Sequence, residues 1–123
     1  MSEKAIVAGV GMVKFAKPGQ NEDYDVMAEK AVRLALKDAG IEYSEVQQAY
    51  ASYIYGDSTC GQKALYRVGE TAIPIINVNN NCSSGSTALF LARQAVAGGM
   101  LECALVVGFE QMRPGALGTS WDD

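Results

Sequence analysis

TAIPIINVNNNCSSGSTALFLARQAVAGGMLECALVVGF, residues 71–109, is the stretch whose reading decides the fold. Its first eight residues, TAIPIINV, are apolar and rich in isoleucine, and read as a strand. A run of asparagines breaks the pattern and leads into residues 83–97, which read as a helix closed by Gly98 and Gly99. The first turns of that helix carry Ser, Gly, Ala, Leu and Phe on every side, a pattern that predicts burial nearly all round. Residues 102–109, ECALVVGF, then read as a further strand of the fully buried kind.

The same alternation extends toward the start of the chain. Residues 4–10, KAIVAGV, read as a buried strand, followed by a turn at Gly11 and a loop at residues 17–19. Over residues 22–39 the positions Ala28, Ala31, Val32, Ala35, Leu36 and Ala39 recur at helical spacing, with Gly40 as the left-handed stop. Residues 47–55, QQAYASYIY, read as a strand closed by Gly56, Asp57 and Ser58, and residues 60–68 as a short helix. Strands that alternate with helices predict an α/β layered fold with parallel strand pairs and helices on both faces of the sheet. There is no internal repeat and no linker. Residues 112–123 have loop composition and complete no further element, so the sheet is expected to be interrupted there.

Composition narrows the function classes. With 49% hydrophobic and 20% charged residues, the 123-residue chain reads as one folded domain. Fourteen acidic and ten basic residues give a net charge of -4 without a basic cluster, which argues against nucleic acid as a partner. No apolar run approaches the roughly 20 residues that span a bilayer, and the opening lacks the layout of a cleaved signal peptide, so the expectation is a cytoplasmic protein. Three cysteines fit reduced thiols better than a disulfide framework. The chain contains no histidine, which removes His-ligated zinc motifs and any Ser/His or Cys/His dyad built wholly from these residues.

Cys82 is the residue that raises a chemical question. A strand ending near Val78 and a helix starting near residue 83 place its thiol at the carboxyl end of the sheet, where open α/β folds build their sites. Free N–H groups and the positive end of the helix dipole there favour thiolate over thiol. The same N–H groups suit an oxyanion once the sulfur is acylated, and Gly85 and Ser86 leave room for close approach. The competing reading is a small buried hydrophobe, as most unpaired cysteines are. Cys103, inside an apolar strand, reads as core, and Cys60 has no helper residue nearby in sequence.

Other suggestive features carry less. Gly9 and Gly11 resemble the opening of a dinucleotide fingerprint, but Lys14 stands where the third glycine belongs, and a turn is the plainer reading. Glu22, Asp23 and Asp25 suit the first turn of a helix, where they complement its dipole. The asparagines before Cys82 suit a helix cap or a loop held by bonds from side chain to backbone.

The stretch IINVNNNCSSGSTALFLARQAVAGG followed by ECALVVGFEQM resembles the nucleophile region of thiolases, in particular those of sterol-carrier type. GVGMVKFAKPG and YGDSTCGQKALY resemble the same subfamily, so the likeness covers almost the whole chain. It implies a thiolase-like layered fold, with residues 1–123 forming the first part of its N-terminal domain. It also implies that Cys82 accepts the acyl group of a branched-chain or sterol-derived 3-ketoacyl-CoA and passes it to coenzyme A, which is a substrate. No resident cofactor or metal is implied. A histidine, a second cysteine and a glycine-rich loop come from the other half in this family, so the chain alone is not expected to turn over. The resemblance further implies a homodimer paired through residues 73–78 and, in a eukaryote, the peroxisomal matrix. After GFEQM many thiolases continue with serine, where this chain has Arg113.

Two other readings stand beside the enzyme. One is a thiolase-like lipid-transfer or steroid side-chain aldolase protein that binds acyl-CoA without forming an acyl-cysteine. The other is a cysteine-based redox sensor, disfavoured because no resolving cysteine lies close in sequence.

Overall fold

The computed structural model describes residues 4–115. Its sheet is built from β1 (Gln48–Ser52), β2 (Ile75–Val78) and β3 (Ala104–Gly108). The order is β2-β1-β3 and both pairs are parallel, with Ala49 opposite Ile75 on one side and Leu105 on the other. Three helices complete the layers: α1 (Tyr24–Ala39), α2 (Cys60–Tyr66) and α3 (Ser84–Ala97). Of the interrupted tail expected at residues 112–123, residues 116–123 lie outside the described residues.

Alternation along the central strand sorts the core into two layers. Ala49 and Ala51 point to one face, where with Leu105 and Val107 they meet Ala28 and Val32 of α1 and Ala64 and Leu65 of α2. Tyr50 points to the other face and packs with Val78 against Ala88 and Ala92 of α3. Helices therefore cover both faces, as the alternating pattern predicts. Leu65 and Val32 are the largest side chains buried completely, and each contributes about 1.5–3 kcal/mol by leaving water.

The ends of α1 show how distant sequence fixes a helix. Gly40, at φ 71°, stops it in the left-handed conformation the sequence predicts. At the start no side chain at Asp23 caps the helix; instead Gln111 accepts the Tyr24 N–H at 3.0 Å from 87 positions away. On its outer side, α1 is tied to α2 through Glu29, whose carboxylate meets Arg33 at 2.9 Å and Arg67 at 3.0 Å. The bonds from Arg33 and Arg67 hold Glu29 below its ordinary value.

Three expectations need correction. Residues 4–10 are not a strand of the sheet: the segment pairs with none, and Ile6, Val7 and Val10 are exposed. Nor is there a turn at Gly11. The backbone instead lies directly on an alanine stripe of α1, since a Cβ on Gly9 would come within 2.5 Å of the Ala35 carbonyl and one on Gly11 within 2.4 Å of that of Ala31. The two glycines answer to close packing, and the apolar run alone did not reveal what it packs on. Second, α3 is buried on one side only. Leu89 and Phe90 are more than half exposed, because the sheet covers one face and no described element covers the other. Third, β3 is not buried throughout: Leu105 and Val107 are covered, while Ala104 and Val106, on the α3 side, are half-buried.

Candidate functional site

Because all three strands run parallel, their carboxyl ends and the start of α3 meet on one side of the molecule. Cys82 lies there, exposed, two residues before α3 begins. This excludes the reading of Cys82 as a small buried residue. Its thiol has one neighbour within bonding range, the side-chain oxygen of Asn81 at 4.0 Å.

The loop that carries it is held by its own polar side chains. Asn81 adopts φ 51°, a conformation asparagine tolerates better than most residues. Its N–H donates to the Asn79 side chain at 3.0 Å. Ser84, buried in the first turn of α3, accepts the Asn80 N–H at 2.8 Å and donates to the Asn81 carbonyl at 2.7 Å. Asn80 reaches forward to Thr87 at 3.0 Å, and Ser83 donates back to the Asn80 carbonyl at 2.8 Å. The asparagines thus brace the turn, as their type and place predict. Ser83, the cap residue, makes no side-chain capping bond, so its hydroxyl leaves the first free N–H groups of α3 uncovered. Nothing nearer than 3.9 Å would meet a side chain at Gly85. The first turn of α3 is open at Gly85.

Beside this loop lies a shallow cleft of about 160 Å³, lined by Tyr53, Ile54, Gly56, Ser58, Asn77, Val78 and Asn79. Asn77 lines it and also holds the start of α2, accepting the Gly61 N–H at 2.8 Å and donating to Gln62 at 2.7 Å.

The tripeptide after β3 ties three elements together. Phe109 stacks on Tyr24 and on Tyr53, with ring centroids 5.2 Å apart in both pairs. Glu110 accepts the N–H groups of Ile54 at 2.8 Å and Tyr55 at 3.1 Å, and Gln111 caps α1. Composition and spacing gave these residues no role; their only signal was that GFEQM belongs to the resembled motif.

The other two cysteines sit elsewhere. Cys60 opens α2 and is buried, and its N–H donates to the Tyr53 hydroxyl at 3.4 Å. Burial pushes the phenols of Tyr24 and Tyr53 above their ordinary value. Cys103 is half-buried just before β3, not inside it, and burial together with Glu45 pushes its thiol up. No group of three or more potential metal ligands occurs among the described residues. Glu22 pairs with Lys30, while Asp25, in the first turn of α1, meets Arg67 at 3.5 Å. No described helix is long and apolar enough to cross a membrane.

Parallel strands between helix layers, with a cysteine loop leading into a helix at their carboxyl ends, define a thiolase-like α/β fold. Residues 5–118 match the family model for the thiolase N-terminal domain, and the chain belongs to the thiolase family. It is 56% identical to sterol carrier protein 2 of Gallus gallus over 125 residues, covering 100% of this chain and 23% of that protein. It is 37% identical to a benzoylsuccinyl-CoA thiolase subunit, BbsB, of Thauera aromatica over 113 residues, covering 89% of this chain and 29% of that one. The chain therefore spans less than a third of the length of either relative. Among solved structures, the priming β-ketosynthase of the R1128 polyketide pathway superposes with a TM-score of 0.73 at 21% identity, over 91% of this chain and 44% of that one, a likeness of fold.

Proposed function

We propose that this chain carries the nucleophile of a thiolase-type acyl transfer and that Cys82 is that nucleophile. The observation that supports the reading most is an exposed thiol at the open amino end of α3, on the side where three parallel strands end. Sites in open α/β sheets form at that edge, and helix N–H groups favour an anionic sulfur or oxygen.

In the proposed reaction the Cys82 thiolate attacks the 3-keto carbon of a branched-chain or sterol-derived 3-ketoacyl-CoA. The bond between C2 and C3 breaks, its electron pair leaves with C2, and C2 takes a proton to give acetyl- or propionyl-CoA. The thiolate of a second coenzyme A then attacks the acyl-cysteine and releases the Cys82 thiolate. The base that removes the thiol proton and the acid that protonates C2 come from outside these residues, since the chain has no histidine. The first turn of α3 would meet the oxyanion that forms at each attack.

The second reading is transfer or binding of acyl-CoA or lipid without an acyl-cysteine, which the sterol carrier relatives favour by name. A homodimer through residues 73–78 accompanies either reading. It is supported by the position of β2 at the sheet edge, where an unpaired apolar strand invites a partner. Intact-mass and peptide mass spectrometry after exposing the complete protein, including the half that supplies the base, to a 3-ketoacyl-CoA tests the proposal. An acyl adduct on Cys82 supports acyl transfer, whereas binding with no adduct supports the second reading.

A further inference from the structure

We propose that Glu110 is a positioning residue, whose carboxylate holds the loop after β1 in place and thereby sets the width of the cleft that an acyl donor must enter. The inference rests on the acyl-transfer reading of Cys82. Pairing of β1 with β3 ends at Ser52 and Gly108, and the Phe109 N–H makes a last bond to the Ser52 carbonyl at 3.1 Å. Beyond that point the central strand has no neighbour to pair with on this side. Glu110 supplies one from its side chain: its two oxygens accept the successive N–H groups of Ile54 and Tyr55 at 2.8 and 3.1 Å. A carboxylate is suited to this, because it presents two acceptors on one rigid plane and bonds to a charged acceptor are the stronger kind.

What the clamp holds is one wall of the cleft. Ile54, Gly56 and Ser58 of the loop after β1 line the cleft together with Tyr53, Asn77, Val78 and Asn79, and the Tyr53 N–H still meets the Val78 carbonyl at 3.4 Å. Asn79 in turn accepts the N–H of Asn81, the residue before Cys82. The cleft is therefore lined both by the segment that Glu110 holds and by Asn79 of the loop that carries the thiol. With the clamp released, the Ile54–Tyr55 segment is freed while Tyr53 keeps its bonds to Val78 and Asp57, and the sulfur stays, because Ser84 and Asn80 fix the Cys82 loop without help from residues 53–58. The effect should fall on binding of the donor and leave the intrinsic reactivity of the thiol alone.

The test compares the wild-type protein with Glu110→Gln, which keeps the shape of the side chain and replaces one acceptor by a donor. Gln111→Ala serves as the control, because it removes a tether one residue away that does not touch the cleft. Three quantities are read: amide hydrogen exchange at Ile54 and Tyr55, the concentration of acetoacetyl-CoA that half-saturates adduct formation on Cys82, and the rate of Cys82 alkylation by iodoacetamide. For Glu110→Gln the two amides should exchange roughly tenfold faster or more, and half-saturation should rise by a similar factor, since that is the scale of one bond to a charged group. Iodoacetamide should react at the wild-type rate. Gln111→Ala should lower the thermal midpoint and leave half-saturation where it was.

An unchanged half-saturation in Glu110→Gln, or one that moves equally in Gln111→Ala, overturns the inference. If Glu110→Gln does not fold, wild-type exchange decides: amides of Ile54 and Tyr55 that exchange like those of a free loop also overturn it. All three quantities are read on the complete protein, with the half that supplies the base; a complete wild-type protein that forms no adduct removes the acyl-transfer reading, and this inference with it, whereas a wild-type adduct with unchanged half-saturation in the variant sinks this inference alone.

Discussion

Gly61→Ala should destabilise the protein, against the ordinary trend for a helix. Glycine inside a helix costs about 0.5–1 kcal/mol relative to alanine, so propensity alone favours the exchange. Gly61, however, is the second residue of α2 and lies directly against the sheet. A Cβ there would come within 2.5 Å of the Ala51 side chain and 2.5 Å of the Asn77 side-chain oxygen. Ala51 is fully buried in the central strand and has nowhere to retreat. Asn77 can turn away only by giving up its bond to the Gly61 N–H and its bond to Gln62. Overpacking of this kind costs about 1–3 kcal/mol and a lost hydrogen bond about 1 kcal/mol more. After the gain in propensity, a net loss of about 1–3 kcal/mol remains. At about 4 °C per kcal/mol for a domain of this size, the thermal midpoint followed by circular dichroism should fall by roughly 4–12 °C. A midpoint that is unchanged or raised would refute the close contact between α2 and β1.

Four further outcomes are expected. Iodoacetamide at pH 8, followed by peptide mass spectrometry, should label Cys82 first, Cys103 more slowly and Cys60 last, because Cys82 is exposed, Cys103 is half-buried with its thiol pushed up, and Cys60 is buried; earlier labelling of Cys60 would contradict the fold around α2. Leu65→Ala should cost about 2–5 kcal/mol in urea unfolding, a large part of the roughly 5–15 kcal/mol that holds a domain folded. Burial raises the phenols of Tyr24, Tyr43 and Tyr53 and the thiol of Cys103 above ordinary values of 10.0 and 9.0, so the folded chain keeps protons that the unfolded chain releases. Stability should therefore be full below about pH 9 and decline as pH rises further, with a midpoint that does not fall there counting against the buried phenols. At the acid end Glu29, lowered from 4.5, contributes stability above that value that is lost as pH falls through its folded value, and Glu29→Gln should flatten the acid limb of the midpoint against pH.

The parts of the fold that sequence revealed are those governed by local rules. The alanines and Val32 at helical spacing gave α1, Gly40 gave its end, and the strand–asparagine–helix order of residues 71–97 gave the place of Cys82. What stayed hidden depends on partners far along the chain. Gly9 and Gly11 look like a turn until α1 lies beside them with Ala31 and Ala35 facing their backbone. The outer face of α3 reads as core because Leu89 and Phe90 are apolar, and periodicity does not say how many layers cover a helix. Asn77, Glu110 and Gln111 bond to groups between 15 and 88 positions away, and no window of sequence contains both ends of such a bond. Near Cys82 the signal was stronger, since Asn80, Asn81 and Ser84 act on one another within a single turn.

The bond between Gln111 and Tyr24, with Phe109 stacked on the same tyrosine, bears on how the chain folds. The first helix receives its terminal hydrogen-bond acceptor only after β3 has docked, so a separation of 87 residues must close before that helix is finished. Loop closure over such a separation is entropically slow, and the start of α1 should gain protection late in refolding, together with β3 and after its own middle turns. During synthesis on the ribosome the same order is imposed by exit: until residue 111 emerges, the amino end of the helix stays frayed.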